Sequence, residues 1–590
     1  MKKYTMILSV ALLIAGALTT GCSSDDLMAE EPVMPQQTEQ MMEFTTTMTP
    51  KGSTMRSVDA DGKTAWVAGE QIAVYYQKTD DSYATATATV GAPNGDGSAP
   101  ITATLSGAKN GGAVKFVYPA TLHNGTGDID ATALAAQHGT IADISANFDA
   151  CTGSGTLVTN GTTCGTTANV AMTNQVLIGK FTPKYSGATI NAITTLTVTD
   201  GTNTYTVTPT SGTFGTTGIY VAMLPVSDQE VIITAGTASQ KYGFGGKKIT
   251  LTAGKLYNNL AIAMLKAHDL TAAAFTADED AFIYQSSADA TSNTITIGEN
   301  RKVILSGVNI RAGDDNAISC NGSAEIVLSS TNTVKNNSVN KAVVKAGPAE
   351  TTLTIGGAGA IDAQGTDEES SLAIFAAVIG AQNNYTCGNI TITGGSITAR
   401  FSKNNNGAAI GAGGCLGANS KCGNITIKGG TVFANSIGQG AGIGSGAMLT
   451  ILRNSICGDI TIEGGNVTAT AGNNAAGIGS GYSAGNNYYK SRCGNIKITG
   501  GNVTATGGSQ AAGIGSGYAD YDADKSVCGT INITGGTIDA YRDATDADTH
   551  DIGKGKNGTT GTVTIAASVH SSAGKYYTNG SASEGYNKVE

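Results

Sequence analysis

The 590 residues carry a net charge of −10, with only 14% charged and 6% aromatic residues and 81 glycines. An acidic chain of this kind is not built to grip nucleic acid or an anionic membrane surface, both of which recruit basic patches. Gly and Thr are weak helix formers and the Val/Ile/Thr alternations favour strands, so the composition predicts an all-β protein of about three or four domains.

At the N-terminus, Lys2 and Lys3 precede an apolar run over residues 6–18, and Gly21-Cys22 follows. This is the pattern of a secretory signal, too short for a permanent span. Thr19-Thr20-Gly21-Cys22 resembles a bacterial lipobox, with the favoured Leu one place early at Leu18. The resemblance implies that Cys22 is acylated and anchors the mature chain. An ordinary cleaved signal with a stray cysteine is the alternative. Residues 23–42 are acidic, Pro-containing and poor in β-branched residues, and read as a flexible tether. Within them Ser23-Ser24-Asp25-Asp26 resembles the acidic signal that sends some lipoproteins to the outer face of the outer membrane, which gives a cell-surface location as the expectation.

Over residues 43–160 and 161–267 short strands alternate with polar turns, for example Gln71-Ile72-Ala73-Val74-Tyr75-Tyr76 and Glu230-Val231-Ile232-Ile233-Thr234. That spacing predicts two β-sandwiches, with a boundary or long loop in the low-complexity stretch near residues 131–167. Cys151 and Cys164 lie there, 13 residues apart. In an oxidising compartment they would close the loop as a disulfide; two unpaired thiols are the alternative.

Arg56, then Thr64-Ala65-Trp66-Val67-Ala68-Gly69-Glu70 ahead of a long strand, then Val117-Tyr118-Pro119-Ala120, and last Ile249-Thr250-Leu251-Thr252-Ala253-Gly254-Lys255-Leu256-Tyr257-Asn258 occur in that order. Together they resemble the fimbrillin-type pilus subunits. The resemblance implies two transthyretin-like sandwiches over roughly residues 43–265. It also implies partnership with other subunits of the same type by strand exchange, in which a protease removes an N-terminal strand after an arginine and a neighbour's strand fills the groove. Arg56 matches the processing arginine; a solvated turn residue is the alternative, and a tip or anchor subunit need not be processed.

From residue 268 to 590 the chain becomes periodic. Cys-Gly pairs recur at Cys387, Cys422, Cys457, Cys493 and Cys528, at intervals of 35 or 36 residues. Each is followed by an alternating strand such as Asn389-Ile390-Thr391-Ile392-Thr393, a Gly-Gly turn, a second strand such as Asn466-Val467-Thr468-Ala469-Thr470, and a third element such as Ala476-Gly477-Ile478-Gly479-Ser480-Gly481. A fixed period with three short strands per unit predicts a right-handed parallel β-helix, with Ile, Val and Ala stacked inside and threonines outside. The irregular coils before Cys387 are expected to cap the stack. The region resembles the β-helical carbohydrate-binding domains of some secreted bacterial proteins, which implies a glycan or host-surface ligand.

Four groups are candidate sites. The five cysteines would stack about 4.8 Å apart at one corner, as a small apolar ladder rather than a metal site, because each rung supplies one thiol and no histidine lies near. Asp520, Asp522 and Asp524 have the first three ligand positions of a calcium loop but lack its Gly and closing Glu; a solvated loop is the alternative. A second acidic loop, Asp543, Asp546, Asp548 and Asp551, leaves the coil at a different corner, so the two loops need not meet. Tyr482, Tyr488, Tyr489, Tyr518 and Tyr521 fall after the third element of successive coils and could stack on sugar faces; ordinary exposed tyrosine is the alternative. No cofactor beyond calcium is suggested.

The GIGSG runs lack the Gly-Lys-Ser/Thr ending of a phosphate loop. Asp459 and Glu463 share a strand region without a basic cluster, and no nucleophile–base motif is visible. The expectation is a non-enzymatic surface adhesin, a pilus tip or accessory subunit. A glycan-capture lipoprotein that never polymerises and a polysaccharide lyase or hydrolase are the alternatives.

Overall fold

The computed structural model describes residues 39–49, 65–365, 374–402, 405–415, 418–449, 453–484, 490–520, 526–542, 546, 548–575, 577–581 and 585–588. In chain order the first sandwich uses β1 (Met41–Met48), β2 (Gln71–Gln77), β3 (Tyr83–Val90), β4 (Ala99–Ser106), β5 (Ala113–Tyr118), β6 (Cys151–Asn160) and β7 (Thr163–Thr166). Alternation in Met41-Met42-Glu43-Phe44-Thr45-Thr46-Thr47-Met48 puts Met42, Phe44, Thr46 and Met48 inward and the others out. The strand therefore belongs in the middle of a half-buried sheet, and it lies between β4 and β7. Strand β6 pairs with β5 through Cys151–Thr156 and with β7 through its last residues, so the order β5-β2-β3-β4-β1-β7-β6 returns to β5 and the sandwich closes on itself. Closure removes the open edges that invite unwanted pairing.

The second sandwich uses β8 (Leu177–Tyr185), β9 (Thr195–Thr199), β10 (Thr204–Val207), β11 (Ile219–Met223), β12 (Ile232–Gly236), β13 (Lys241–Phe244), β14 (Leu256–Ala263) and β15 (Leu265–Asp269). One layer runs β14-β8-β11, the other β10-β9-β12-β13-β15. Leu177, Phe181, Leu196, Val198, Tyr205, Val221 and Ile233 fill the space between them. The boundary expected at residue 160 does not hold. After Tyr118 the chain lends Leu122, Leu134, Ile144 and Phe148 to this second core, then returns to build β6 and β7 of the first sheet. The apolar residues of that low-complexity stretch are few but are needed where the second core is thin, so the two sandwiches interleave.

The break expected at residue 267 is also absent. Strand β15 pairs in parallel with Ala281–Tyr284, and the ladder continues through every later coil, giving a 16-stranded sheet shared by sandwich and β-helix. The β-helix is thus started by the sandwich rather than by a free-standing cap. One inner stripe of that sheet runs in register through Leu353, Ile390, Ile425, Ile460, Ile496 and Ile531.

Each regular coil carries four ladders where the sequence suggests three. A Ser-x-Cys strand such as Ser491–Cys493 precedes the Ile-x-Ile strand Ile496–Ile498, then Asn502–Thr506, then Ile514–Gly515. The extra ladder stacks Ser420–Cys422, Ser455–Cys457, Ser491–Cys493, Ser526–Cys528 and Thr559–Thr560 as a 5-stranded sheet. Its signal was the serine two places before each cysteine. At the other end of the stack the hairpin Tyr577–Ser581 and Gly585–Lys588 runs antiparallel to Ile552–Gly553. The Tyr577 hydroxyl donates to Ile538 O at 2.7 Å and accepts from Ala540 N at 3.0 Å, standing in for the backbone of a further coil.

Candidate functional site

Three of the residues that carry the family resemblance, Trp66, Glu70 and Tyr118, converge in space. The Trp66 and Tyr118 rings meet edge to face at 5.4 Å, and the Tyr118 hydroxyl donates to Glu70 Oε1 at 2.7 Å. The other Glu70 oxygen accepts the Val67 N–H at 2.9 Å, and Gly69, at φ +94, turns the chain between them. This knot holds the segment ahead of β2 against the first core, near the end of β1, whose Thr49 carbonyl accepts from Trp66 Nε1 at 3.5 Å.

Strand β1 itself is the candidate assembly element. It pairs with β4 along its full length, from Met41↔Ser106 to Met48↔Ala99, but with β7 only at Glu43 and Phe44. Withdrawing it would open the ring at one place and leave a slot floored by Phe116 and Leu105. Arg56 and Cys22 lie outside the described residues.

The pairing of Cys151 with Cys164 is overturned. Both are buried free thiols, and on the β6–β7 hairpin Cys164 faces Thr159, eight residues further along β6 than Cys151, or about 26 Å at strand rise. Burial pushes the Cys164 thiol up to about 11. Cys387, Cys422, Cys457, Cys493 and Cys528 do form a buried column, the last four in register. Each thiol from Cys422 onward points at a glycine carbonyl of the previous coil, 3.8–4.0 Å away. The neighbouring Cys422 thiol and burial hold Cys387 well above the ordinary thiol range. The glycine after each cysteine is dictated by stacking: a Cβ on Gly388 would meet Thr351 O at 2.1 Å.

A second ladder runs beside the thiols. Asn389 Oδ1 accepts the N–H of Asn424 at 2.8 Å, Asn424 that of Asp459 at 2.9 Å, Asp459 that of Asn495 at 2.7 Å, and Asn495 that of Thr530 at 2.9 Å. Asp459 is therefore one rung of a hydrogen-bonded column. The Cys-Gly-Asn/Asp recurrence was its only sequence signal. The GIGSG runs are a third column: Gly411, Gly444, Gly479 and Gly515 sit at φ +136 to +142, and a Cβ on Gly479 would lie 1.8 Å from Gly515 O.

Of the candidate tyrosines, Tyr482 and Tyr518 do line up on successive coils, but they face each other. Their rings stack at 5.8 Å and 19°, and Tyr482 is only 8% exposed. Tyr488, Tyr489 and Tyr521 lie outside the described residues, as do Asp522, Asp524 and Asp543. The two acidic loops both border Tyr518, whose hydroxyl feels Asp520 of the first and Asp546 of the second. Lys556 bridges to Asp546 at 2.9 Å, Tyr518 bonds Asp520, and burial together with Asp520 raises the Tyr518 hydroxyl. Among the described residues no group of three or more His, Cys, Asp or Glu is arranged to hold a metal ion. Nor is any helix among them long and apolar enough to cross a membrane.

Comparison with known proteins matches residues 390–414, 425–447, 460–482 and 496–518 to the family described as Beta helix repeat. No curated protein matches. Among solved structures, a fimbrial protein from Bacteroides ovatus aligns at 10% identity and TM-score 0.21, over 38% of this chain and 50% of its own. A fimbrial assembly protein from Parabacteroides distasonis aligns at 12% identity and TM-score 0.21, over 36% of this chain and 88% of its own. The chain thus spans half the length of the first of these. The two-part architecture, sandwiches followed by a β-helix, stands on the strand pairing itself.

Proposed function

We propose that this chain is a surface adhesin subunit, anchored to the outer membrane through Cys22. In this reading its sandwiches join other subunits by strand exchange at β1, and its β-helix holds a glycan or host-surface ligand without turning it over. The observation that carries this is the place of β1. It is the first strand among the described residues, it lies in sequence between the tether and Arg56, and Met42, Phe44 and Met48 bind it into the core. A neighbour's strand with the same alternation would refill the slot through main-chain hydrogen bonds and pockets for alternate side chains. Binding without catalysis is supported by how the acids of the repeats are used: Asp459 serves the asparagine ladder, and Asp362 takes a two-pronged bond from Arg400 at 2.9 and 2.7 Å.

The test is limited digestion of the mature chain with an Arg-specific protease. Cleavage after Arg56, loss of the β1 fragment and a detergent-resistant ladder of oligomers are expected, with Arg56→Ala abolishing all three. A monomer that keeps β1 would favour the alternative of a non-polymerising glycan-capture lipoprotein, which the closed, edge-free first sandwich also suits.

A further inference from the structure

The second sandwich leans over the first coils of the β-helix, and the two enclose a cleft of about 760 Å³. Its floor is the outward stripe Ile304 and Val327 of the long shared sheet, and Phe244 and Tyr185 wall it from the sandwich side. The wall is fixed. Glu230 accepts the Gly246 N–H at 2.6 Å with one oxygen and the Ser330 N–H at 2.9 Å with the other, tying sandwich to coil. Gly246 lies so close to the sheet that a Cβ there would meet Val327 at 2.2 Å.

Past Gly246 and Gly357 the cleft continues as a trough of about 550 Å³ along the Gly-Gly corner, beside the hydroxyls of Thr393, Ser396 and Thr431. The trough stays open because Gly357 and Gly430 at the corner accept no side chains. A Cβ on Gly357 would meet Leu328 O at 2.3 Å, and one on Gly430 would meet Gly395 O at 2.6 Å.

Charge in the cleft is balanced. Lys247, Lys302 and Lys266 stand against Glu279, Asp280 and Glu325; Glu279 is paired with Lys266 at 2.8 Å, and Lys302 lies in register beside Glu325. A ligand with net charge of either sign gains little here. One rich in hydroxyls finds both donors and acceptors over an apolar floor, which suits a sugar ring with its C–H face down. A cleft of this size at a domain junction is where ligand sites concentrate, and its extension along the corner gives room for several linked units.

We infer that the junction trough, and not the tyrosine loops, is the binding site, and that it takes an uncharged oligosaccharide. The inference rests on the glycan-binding reading above.

The experiment screens the mature chain against unsubstituted hexose and N-acetylhexosamine oligomers alongside sialylated and uronate-bearing glycans. The strongest hit is then titrated against Glu325→Gln, Ser396→Trp and Tyr518→Ala. Both Glu325 and Ser396 are exposed, so neither change threatens the fold, and an unchanged thermal midpoint verifies that. The expected result is capture of a neutral oligomer, weakened at least tenfold by Glu325→Gln and by Ser396→Trp and unaltered by Tyr518→Ala. A neutral hit that ignores both trough variants would overturn the site while leaving glycan binding in place. A preference for sialylated or uronate glycans would overturn the ligand class. Binding to no glycan would overturn the inference together with the reading on which it rests.

Discussion

Replacing Gly479 by Ala puts the stacking of the β-helix to a quantitative test. The new Cβ would lie 1.8 Å from Gly515 O, where ordinary contact begins at 3.4 Å, so the next coil must retreat by about 1.6 Å. Rungs stand about 4.8 Å apart, and a retreat of that size breaks the bonds that Ile478 N and Ser480 N make to Gly513 O and Gly515 O, both 3.0 Å. Two bonds at about 1 kcal/mol each, with about 1–3 kcal/mol for an alanine held at φ +141, give a loss on the order of 4 kcal/mol. Because each coil touches only its neighbours, the loss should appear as local opening. Hydrogen exchange would show lost protection at residues 478–480 and 513–515, and urea unfolding an earlier transition for the β-helix. Gly429→Ala is the control: its Cβ meets only Thr393 O, at 3.3 Å, and its φ is not positive. A cost below about 1 kcal/mol is expected there. If Gly479→Ala unfolded like the control, the claim that these glycines set the coil spacing would be wrong.

Phe44→Ala, in the centre of β1, should cost about 3–5 kcal/mol of first-sandwich stability by urea titration, while exposed Val67→Ala stays within about 0.5 kcal/mol. The native protein should resist thiol reagents at pH 8, since Cys320 is pushed up to about 12 and Cys387 well above its ordinary range, with full labelling only after denaturation. Burial lowers the His268 pKa below its usual value, so the unfolded chain binds that proton more readily. Stability at the junction should therefore fall as pH drops through the ordinary histidine range, and His268→Phe should flatten that dependence.

Much of the β-helix is legible because stacking forces one residue type to recur at one interval. Ile390, Ile425, Ile460, Ile496 and Ile531 declare an inner stripe, and the cysteines declare its corner. The asparagine column escapes notice because an amide that accepts a bond from the next coil looks like any surface polar residue. The approach of Tyr118 to Trp66 and Glu70 is not visible in spacing, since Tyr118 lies 48 residues beyond Glu70. The interleaved sandwiches, the shared 16-stranded sheet and the junction cleft were illegible for a common reason. Each depends on which strand edges meet, and alternation within β15 or β6 is the same whatever lies beside it. The disulfide expectation failed the same way: a loop containing Cys151 and Cys164 looks closable until the strand between them is seen to be extended.

The central claim is that this protein binds and does not process its ligand. Its most direct test incubates the mature chain with the strongest glycan hit, with and without calcium, and analyses the products by mass spectrometry and reducing-end assay. Stable binding with the glycan recovered intact is the expected result. New reducing ends or unsaturated fragments would contradict it.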